Sequence, residues 1–303
     1  MGVVARVRRL FEQVPRVWRG VLGMLVVTLL FSMQQALVKH ISAEMHPLQI
    51  GFFRQFFGFL VLVPVIARTG LAAFAPRRLG LYSARAVLEV TSMSLNFAAL
   101  SITTLGTVVA LFFTTPLFAT LFAVIILRES FRLSRAVGLG VGFIGSLIVL
   151  RPGIIEIDLG ALLMLGSVAL WGASISVIKI LSRTESNVKM TVYMAAMATP
   201  LALIAALPVW RMPTLYELAV MALVGGISSL AHIMFVQVFR NADVTAVMPL
   251  DFLRLLWAAL IGYIAFNEFP DLWTWIGATT IFVAATSVAL HERRNEPPAR
   301  PPT

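Results

Sequence analysis

The chain has 303 residues, of which 59% are hydrophobic and only 13% charged, and its mean hydropathy is +0.91. Soluble domains carry about 25% charged residues, so this composition excludes an ordinary water-soluble globule. The lack of cysteine excludes disulfides, thiolate metal sites and thiol nucleophiles, and the net charge of +10 is spread over short loops and tails rather than gathered into a nucleic-acid patch.

Residues 1–19 form a basic N-terminal segment. The apolar run that starts near Gly20 is too long for a signal-peptide core and lacks an A-x-A-like cleavage site, so it reads as a retained helix. Membrane-spanning runs are predicted at about 20–38, 47–67, 79–100, 104–127, 134–150, 159–181, 189–209, 214–239, 244–266 and 272–290. Breaks fall at "EMHP" before Pro47, "FAPRR" at 74–78, "RESFRLSR" at 128–135 and "RPG" at 151–153. No loop is long enough for a soluble domain, and the charged, proline-rich tail 292–303 is expected to be disordered. With the N-terminus in the cytoplasm, the other side of the membrane receives only Lys39, Arg151 and Arg211, while the remaining loop arginines and lysines collect inside. This asymmetry supports an even number of spans and two cytoplasmic termini.

Deep polar residues mark candidate sites along the chain. The second span holds Arg54 in "GFFRQFFGF", with no acid of its own. The third holds Arg85, Glu89 and Asn96. At 1.5 Å per residue Glu89 falls near the bilayer midplane, where a lipid-exposed ion costs about 2.5–3.5 kcal/mol, so these groups must face the bundle interior. The i,i+4 spacing of Arg85 and Glu89 lets them pair, either as a structural lock or as a substrate or proton site. The ninth span repeats the arrangement with Asp251 and Arg254 at i,i+3. Three deep arginines against two carboxylates favour an anionic or zwitterionic substrate group, although Glu89 equally suits a cation. An arginine one turn away keeps a carboxylate ionised, so Glu89 and Asp251 can carry protons only if their arginines leave them in one conformation.

Pro116 in "FFTTPLF" and Pro249 in "VMPLDF" interrupt spans, as kinks or gating points, and the hydroxyls of Thr114 and Thr115 are expected to line a cavity with the freed carbonyls. "GVGFIG" at 140–145 matches a dinucleotide fingerprint, but no strand precedes it; Gly138, Gly142 and Gly145 suit close helix packing instead. No Walker A pattern is present. Trp171 and His232 are further cavity candidates. Phe52, Phe53, Phe56, Phe57, Phe112, Phe113, Tyr193 and Trp257 are lipid-facing or core by default, with a subset available to stack on a planar substrate. His40, His46 and His291 lack zinc-site spacing, so neither a metal nor a cofactor is expected, and no catalytic residue is assigned.

The two halves echo each other at an offset of about 140 residues. "LLFSMQQALVKHI" (29–41) lies against "ALWGASISVIKIL" (169–181), matching Lys39 to Lys179. "FAVIILRESFRLSRAVGLG" (122–140) lies against "IGYIAFNEFPDLWTWIGAT" (261–279), matching Glu129 to Glu268 and Gly138 to Gly277. Each repeat, 20–151 and 159–291, thus holds five spans. Five is odd, so the second repeat is inverted, a construction used by secondary transporters.

With these motifs the chain resembles the drug/metabolite transporter superfamily, EamA type. The carrying stretches are "TTPLFATLFAVIILRESFRLSRAVGLGVGFIGSLIVLRPG" (114–153) and "VMPLDFLRLLWAALIGYIAFNEFPDLWTWIGA" (247–278), with Pro116, Glu129 and Gly138 in one copy and Pro249, Glu268 and Gly277 in the other. The spacing from Pro to Glu differs between the copies. The resemblance implies an all-α bundle of ten transmembrane helices in two inverted five-helix repeats around a central cavity. It implies a secondary importer or exporter, in a bacterial inner membrane, of a small polar metabolite such as an amino acid, purine or vitamin-like compound. The expected partners are that substrate, the lipid bilayer and a proton or substrate counter-gradient, with the chain acting as monomer or homodimer. The competing readings are a membrane enzyme, which would need convergent acid/base groups or an HExxH or G-x-S-x-G motif, and a channel or scaffold, which would need a filter or like-charge ring. None of these is visible.

Overall fold

In hydrocarbon a backbone segment can satisfy its own hydrogen bonds only as a helix or a closed barrel. The computed structural model takes the first solution. It describes residues 16–69, 78–128, 133–150, 158–185, 187–241 and 248–294, and contains no strand among them. The helices are α1 (Arg16–Ile41), α2 (Pro47–Thr69), α3 (Leu79–Ile102), α4 (Leu105–Phe112), α5 (Thr115–Leu127), α6 (Leu133–Leu150), α7 (Leu159–Ser182), α8 (Asn187–Ala206), α9 (Leu215–Asn241), α10 (Leu253–Phe266) and α11 (Leu272–Arg294). Short 3-10 turns occupy Leu207–Val209 and Met248–Phe252. Five of these stretches are long and apolar enough to cross a membrane by length and composition: Leu22–Ile41, Leu105–Leu127, Leu159–Ser182, Lys189–Val209 and Leu215–Phe235. α3 is not one of them. Arg85, Glu89, Asn96 and its serines dilute its apolar surface, because much of that helix serves the interior rather than lipid.

The helices follow the predicted runs, with shifts at the ends. α1 starts at Arg16, inside the segment assigned to the basic N-terminus, and α11 continues to Arg294, three residues into the assigned tail. Residues 1–15, 295–303 and the predicted pattern residue Glu129 lie outside the described residues.

The two prolines mark breaks rather than bends. The fourth predicted span is two helices, α4 and α5, interrupted at Phe113 and Thr114. Pro116 occupies the first turn of α5, where a missing N–H costs nothing. The hydroxyls of Thr114 and Thr115 donate to the carbonyls of Leu111 (2.7 Å) and Phe112 (2.6 Å), and both residues are buried. In the ninth predicted span, the 3-10 turn that contains Pro249 leads into α10. α5 and α10 then end alike. Arg128 (φ 54°) and Asn267 (φ 53°) adopt the left-handed conformation, each one residue before the glutamate of the repeat pattern.

Packing follows the same duplication. α3 packs on α7 as α9 packs on α1; α5 packs on α7 as α10 packs on α1; α3 packs on α8 as α9 packs on α2. α2 on α8 and α6 on α11 are their own counterparts. Exchanging the halves thus maps each of these contacts onto its counterpart or onto itself. One large apolar cluster runs through the bundle, from Ile50 and Phe97 to Met164, Met221, Leu255 and Ile281.

The α6–α11 seam depends on glycine. A Cβ at Gly277 would lie 2.5 Å from Val149 Cγ2 and 2.7 Å from the Gly145 carbonyl oxygen, and one at Gly145 would lie 2.7 Å from Ile281 Cγ1. A Cβ at Gly142 would run into the Leu117 side chain of α5, so "GVGFIG" is a packing surface. Gly277→Ala is therefore expected to lower stability by about 1–3 kcal/mol, as overpacking does, whereas Gly80→Ala, at a position with open space, should leave it unchanged. Thermal unfolding in detergent reads both; equal midpoints would remove the packing argument.

Candidate functional site

A charge moved out of water must be met by protein, and the deep ionic residues meet one another along a single interior strip. Arg54, on α2, reaches across to two other helices. It donates through Nη2 to Ser228 Oγ on α9 (3.1 Å), and through Nη1 to Gln55 Oε1 (3.3 Å) and to Met93 Sδ on α3 (3.1 Å). Glu89, one turn before Met93, lies within electrostatic reach of both Arg54 and Arg85. The expected Arg85–Glu89 ion pair does not close among the described contacts. Arg85 Nη1 instead donates to the Met190 carbonyl at 3.4 Å, on α8. Glu89 thus answers two guanidiniums without being locked to either.

One turn past Ser228 on α9, His232 fixes its ring through Nδ1 and the Ser228 carbonyl oxygen (2.8 Å) and keeps an accessible face. Phe31, on α1, meets the imidazole edge to face at 5.2 Å between centroids. The guanidinium of Arg254 lies 4.3 Å from the centre of the same Phe31 ring and 5.6 Å from that of Phe112, a cation–π shelf. Asp251 Oδ1 stands 2.6 Å from Arg254 Nε, yet neither atom has a partner in hydrogen-bond geometry. α1 holds this second cluster in place: Ser32 Oγ donates to the Arg254 carbonyl (3.1 Å), and Trp257 Nε1 donates to Thr28 Oγ1 (3.2 Å).

The strip therefore runs Arg85, Glu89, Arg54, Ser228, His232, Phe31, Arg254, Asp251. It joins α1, α2 and α3 of the first half to α9, α10 and the turn before α10 in the second. Its polar atoms are left incompletely paired. Glu89 Oε2, Arg54 Nε, Arg85 Nε, Asp251 Oδ1 and Arg254 Nε are all buried without a hydrogen-bond partner. Native interiors rarely leave such atoms so, and a ligand is one means of completing them.

Two predicted site residues stand apart. Asn96 donates to Met164 Sδ (3.1 Å), in the α3–α7 seam that the hydroxyls of Ser92 and Ser167 also join. Trp171 is half-buried on α7 and takes no part in the strip's described contacts. Gly138 is buried in α6. Phe31, Ser228 and Met93 were not legible as site residues, although Ser228 sits one helical turn before His232 in "SSLAH", a spacing that could have nominated it.

The sequence pattern of the EamA-like transporter family matches residues 18–151 and again residues 158–290. An S-adenosylmethionine uptake transporter from Rickettsia bellii is 30% identical over 267 residues, 87% of this chain and 90% of that protein. A riboflavin transporter from Vibrio cholerae is 28% identical over 283 residues, 91% of this chain and 94% of that protein. A solved crystal structure superposes with a TM-score of 0.60 over 91% of this chain and 98% of its own, at 17% identity, and so shares the fold.

Removing the charge of Glu89 leaves two interior guanidiniums without their acid. Glu89→Gln is expected to destabilise the protein by about 3 kcal/mol, the lower end of the usual loss for one partner of a buried pair, and adding Arg85→Met should recover part of that. Chemical or thermal unfolding of the two variants checks it; no loss in the single variant would mean that Glu89 is solvated.

Proposed function

This chain belongs to the EamA-like transporter family, and we propose that it carries a small metabolite bearing both charges through the membrane by alternating access, with the interior strip as its site. The observation that carries this reading is the set of buried, hydrogen-bond-deficient ionic atoms contributed by both halves of the bundle. A substrate carboxylate complements the unpaired Nε–H groups of Arg54 and Arg85. A substrate cation complements Glu89, whose Oε2 has no hydrogen-bond partner. A planar ring fits against Phe31, His232 and the Arg254 guanidinium.

On this reading the chain forms ten spans in two five-span repeats, 20–151 and 159–291, of opposite orientation. Both termini lie in the cytoplasm of a bacterium, with the protein in its inner membrane. The exchange of helix contacts between halves and the broken fourth and ninth spans support that arrangement, because a break in each half beside a mid-membrane site is how such transporters expose polar backbone to a substrate. Pro116 and Pro249 are then the points about which the half-helices re-aim. S-adenosylmethionine, the substrate in the name of the Rickettsia relative, carries a carboxylate, an ammonium, a sulfonium and a planar base, and so presents a group to each part of the strip. Riboflavin, named for the Vibrio relative, offers the ring and hydroxyls but no fixed charge. The strip therefore favours the first chemistry.

Purified protein should be stabilised by about 2.7 kcal/mol when S-adenosylmethionine is present at 100 times its dissociation constant, and the gain should vanish in Glu89→Gln and Arg54→Ala. Reconstituted protein should show saturable counterflow of the same compound. Stabilisation by riboflavin alone would reverse the assignment. Flux that never saturates would replace the transporter with a channel.

A further inference from the structure

The end of the bundle that holds Lys39 is tied together by side chains to an extent that packing alone does not require. Lys39 closes α1 and its ammonium has four neighbours. It pairs with Glu268 Oε1 at 3.0 Å, donates to the carbonyls of Thr103 (2.6 Å) and Leu100 (3.3 Å) at the end of α3, and lies 5.6 Å over the Phe266 ring. Glu268 uses its second oxygen to accept the backbone N–H of Leu105 (3.0 Å), the first residue of α4. One ion pair thus fastens α1, α3 and α4 of the first half to the end of α10 in the second. Both side chains are largely withdrawn from solvent, at 13% and 22% exposure. Close by, Gly106 admits Pro270 where a Cβ would sit 2.6 Å away.

The clamp stands directly over the charged strip. Phe31, Gln35 and Lys39 recur every fourth residue, so they share one face of α1. Phe31 belongs to the strip, Lys39 to the clamp, and Gln35 lies between them with Oε1 buried and unpartnered. We propose that the Lys39–Glu268 pair is the gate that closes this end of the bundle over the substrate site, and that its rupture opens the site to that side. The proposal rests on the transport reading. The chemistry suits a gate, since a partly buried ion pair is held by charge and hydrogen bonds that a small separation of helix ends releases together. Lys39 would then turn to water, and the Leu105 N–H would lose its only side-chain acceptor among the described contacts.

The chain has no cysteine, so a single introduced thiol reports alone. Gln35→Cys in proteoliposomes is treated with a membrane-impermeant maleimide from the Lys39 side, with the highly exposed Met212→Cys at the same end as the control for sidedness. Labelling of Gln35→Cys should be slow in the parent background. It should become about tenfold faster with Glu268→Gln or Lys39→Met, the change produced when the closed state loses about 1.4 kcal/mol, and stay slow with Lys39→Arg. Unchanged rates in both neutral variants overturn the gate. Equal acceleration in Lys39→Arg overturns it too, since the effect would then be packing rather than charge. If Glu268→Gln does not fold, Lys39→Met decides. The assay needs no substrate, so an absence of saturable flux in the parent counts against the transport reading and leaves the gate to the labelling result.

Discussion

Everything in this molecule follows from the shortage of water around its interior guanidiniums. Burial strips the guanidiniums of Arg54, Arg85 and Arg254 of hydration, so each must be supplied with oxygen, sulfur or an aromatic face by the helices around it. Arg54 calls on Ser228 and Met93 from two neighbouring helices, and Arg254 on Phe31, Phe112 and Asp251. These demands tie α2 to α3 and α9, and α10 to α1, within the apolar cluster that packs the bundle. Lipid-facing surfaces such as those of Phe143, Ile204 and Ile264 are interchangeable by comparison. The centre remains under-supplied even so, with Glu89 Oε2, Arg54 Nε and Arg85 Nε buried and without a hydrogen-bond partner.

Duplication explains how one chain came to surround such a strip. The counterpart contacts of α3–α7 and α9–α1, and of α5–α7 and α10–α1, mean that each half builds the same frame. The ionic furnishings are not duplicated. Arg54, Arg85 and Glu89 come from the second and third spans of the first half, whereas the second half supplies His232, Asp251 and Arg254 from its third and fourth. A symmetric frame with asymmetric contents can rock as two similar bodies while presenting an asymmetric small molecule with distinct contacts for each of its ends.

Much of this was legible in the sequence. Apolar runs of span length placed most of the helices to within a few residues, the offset of about 140 set the two halves against each other, and the five deep charges with His232 named six members of the strip. What could not be read was who meets whom. The i,i+4 spacing of Arg85 and Glu89 suggested a pair within one helix, but Arg85 donates to the Met190 carbonyl on α8 and Glu89 lies within electrostatic reach of Arg54 on α2 as well. Periodicity carries no information about neighbours across the bundle. Phe31 was invisible for a related reason: an aromatic in an apolar span reads as core or lipid-facing until a guanidinium is found against it. Lys39 and Glu268 were each legible as repeat markers at helix ends. Their meeting, between residues near opposite ends of the chain, belongs to tertiary structure alone.

Asn267 touches neither Lys39 nor the strip, yet its left-handed backbone points Glu268 at both of its partners. Asparagine tolerates that conformation; most residues pay about 1–2 kcal/mol for it. Steering by the main chain makes position 267 a silent determinant. A β-branched residue there would swing the carboxylate away from Lys39 while leaving every contacting side chain intact, and a catalogue of variants scored by contact would rank it harmless. Sensitivity to inheritance in this protein therefore extends to residues whose only contribution is direction.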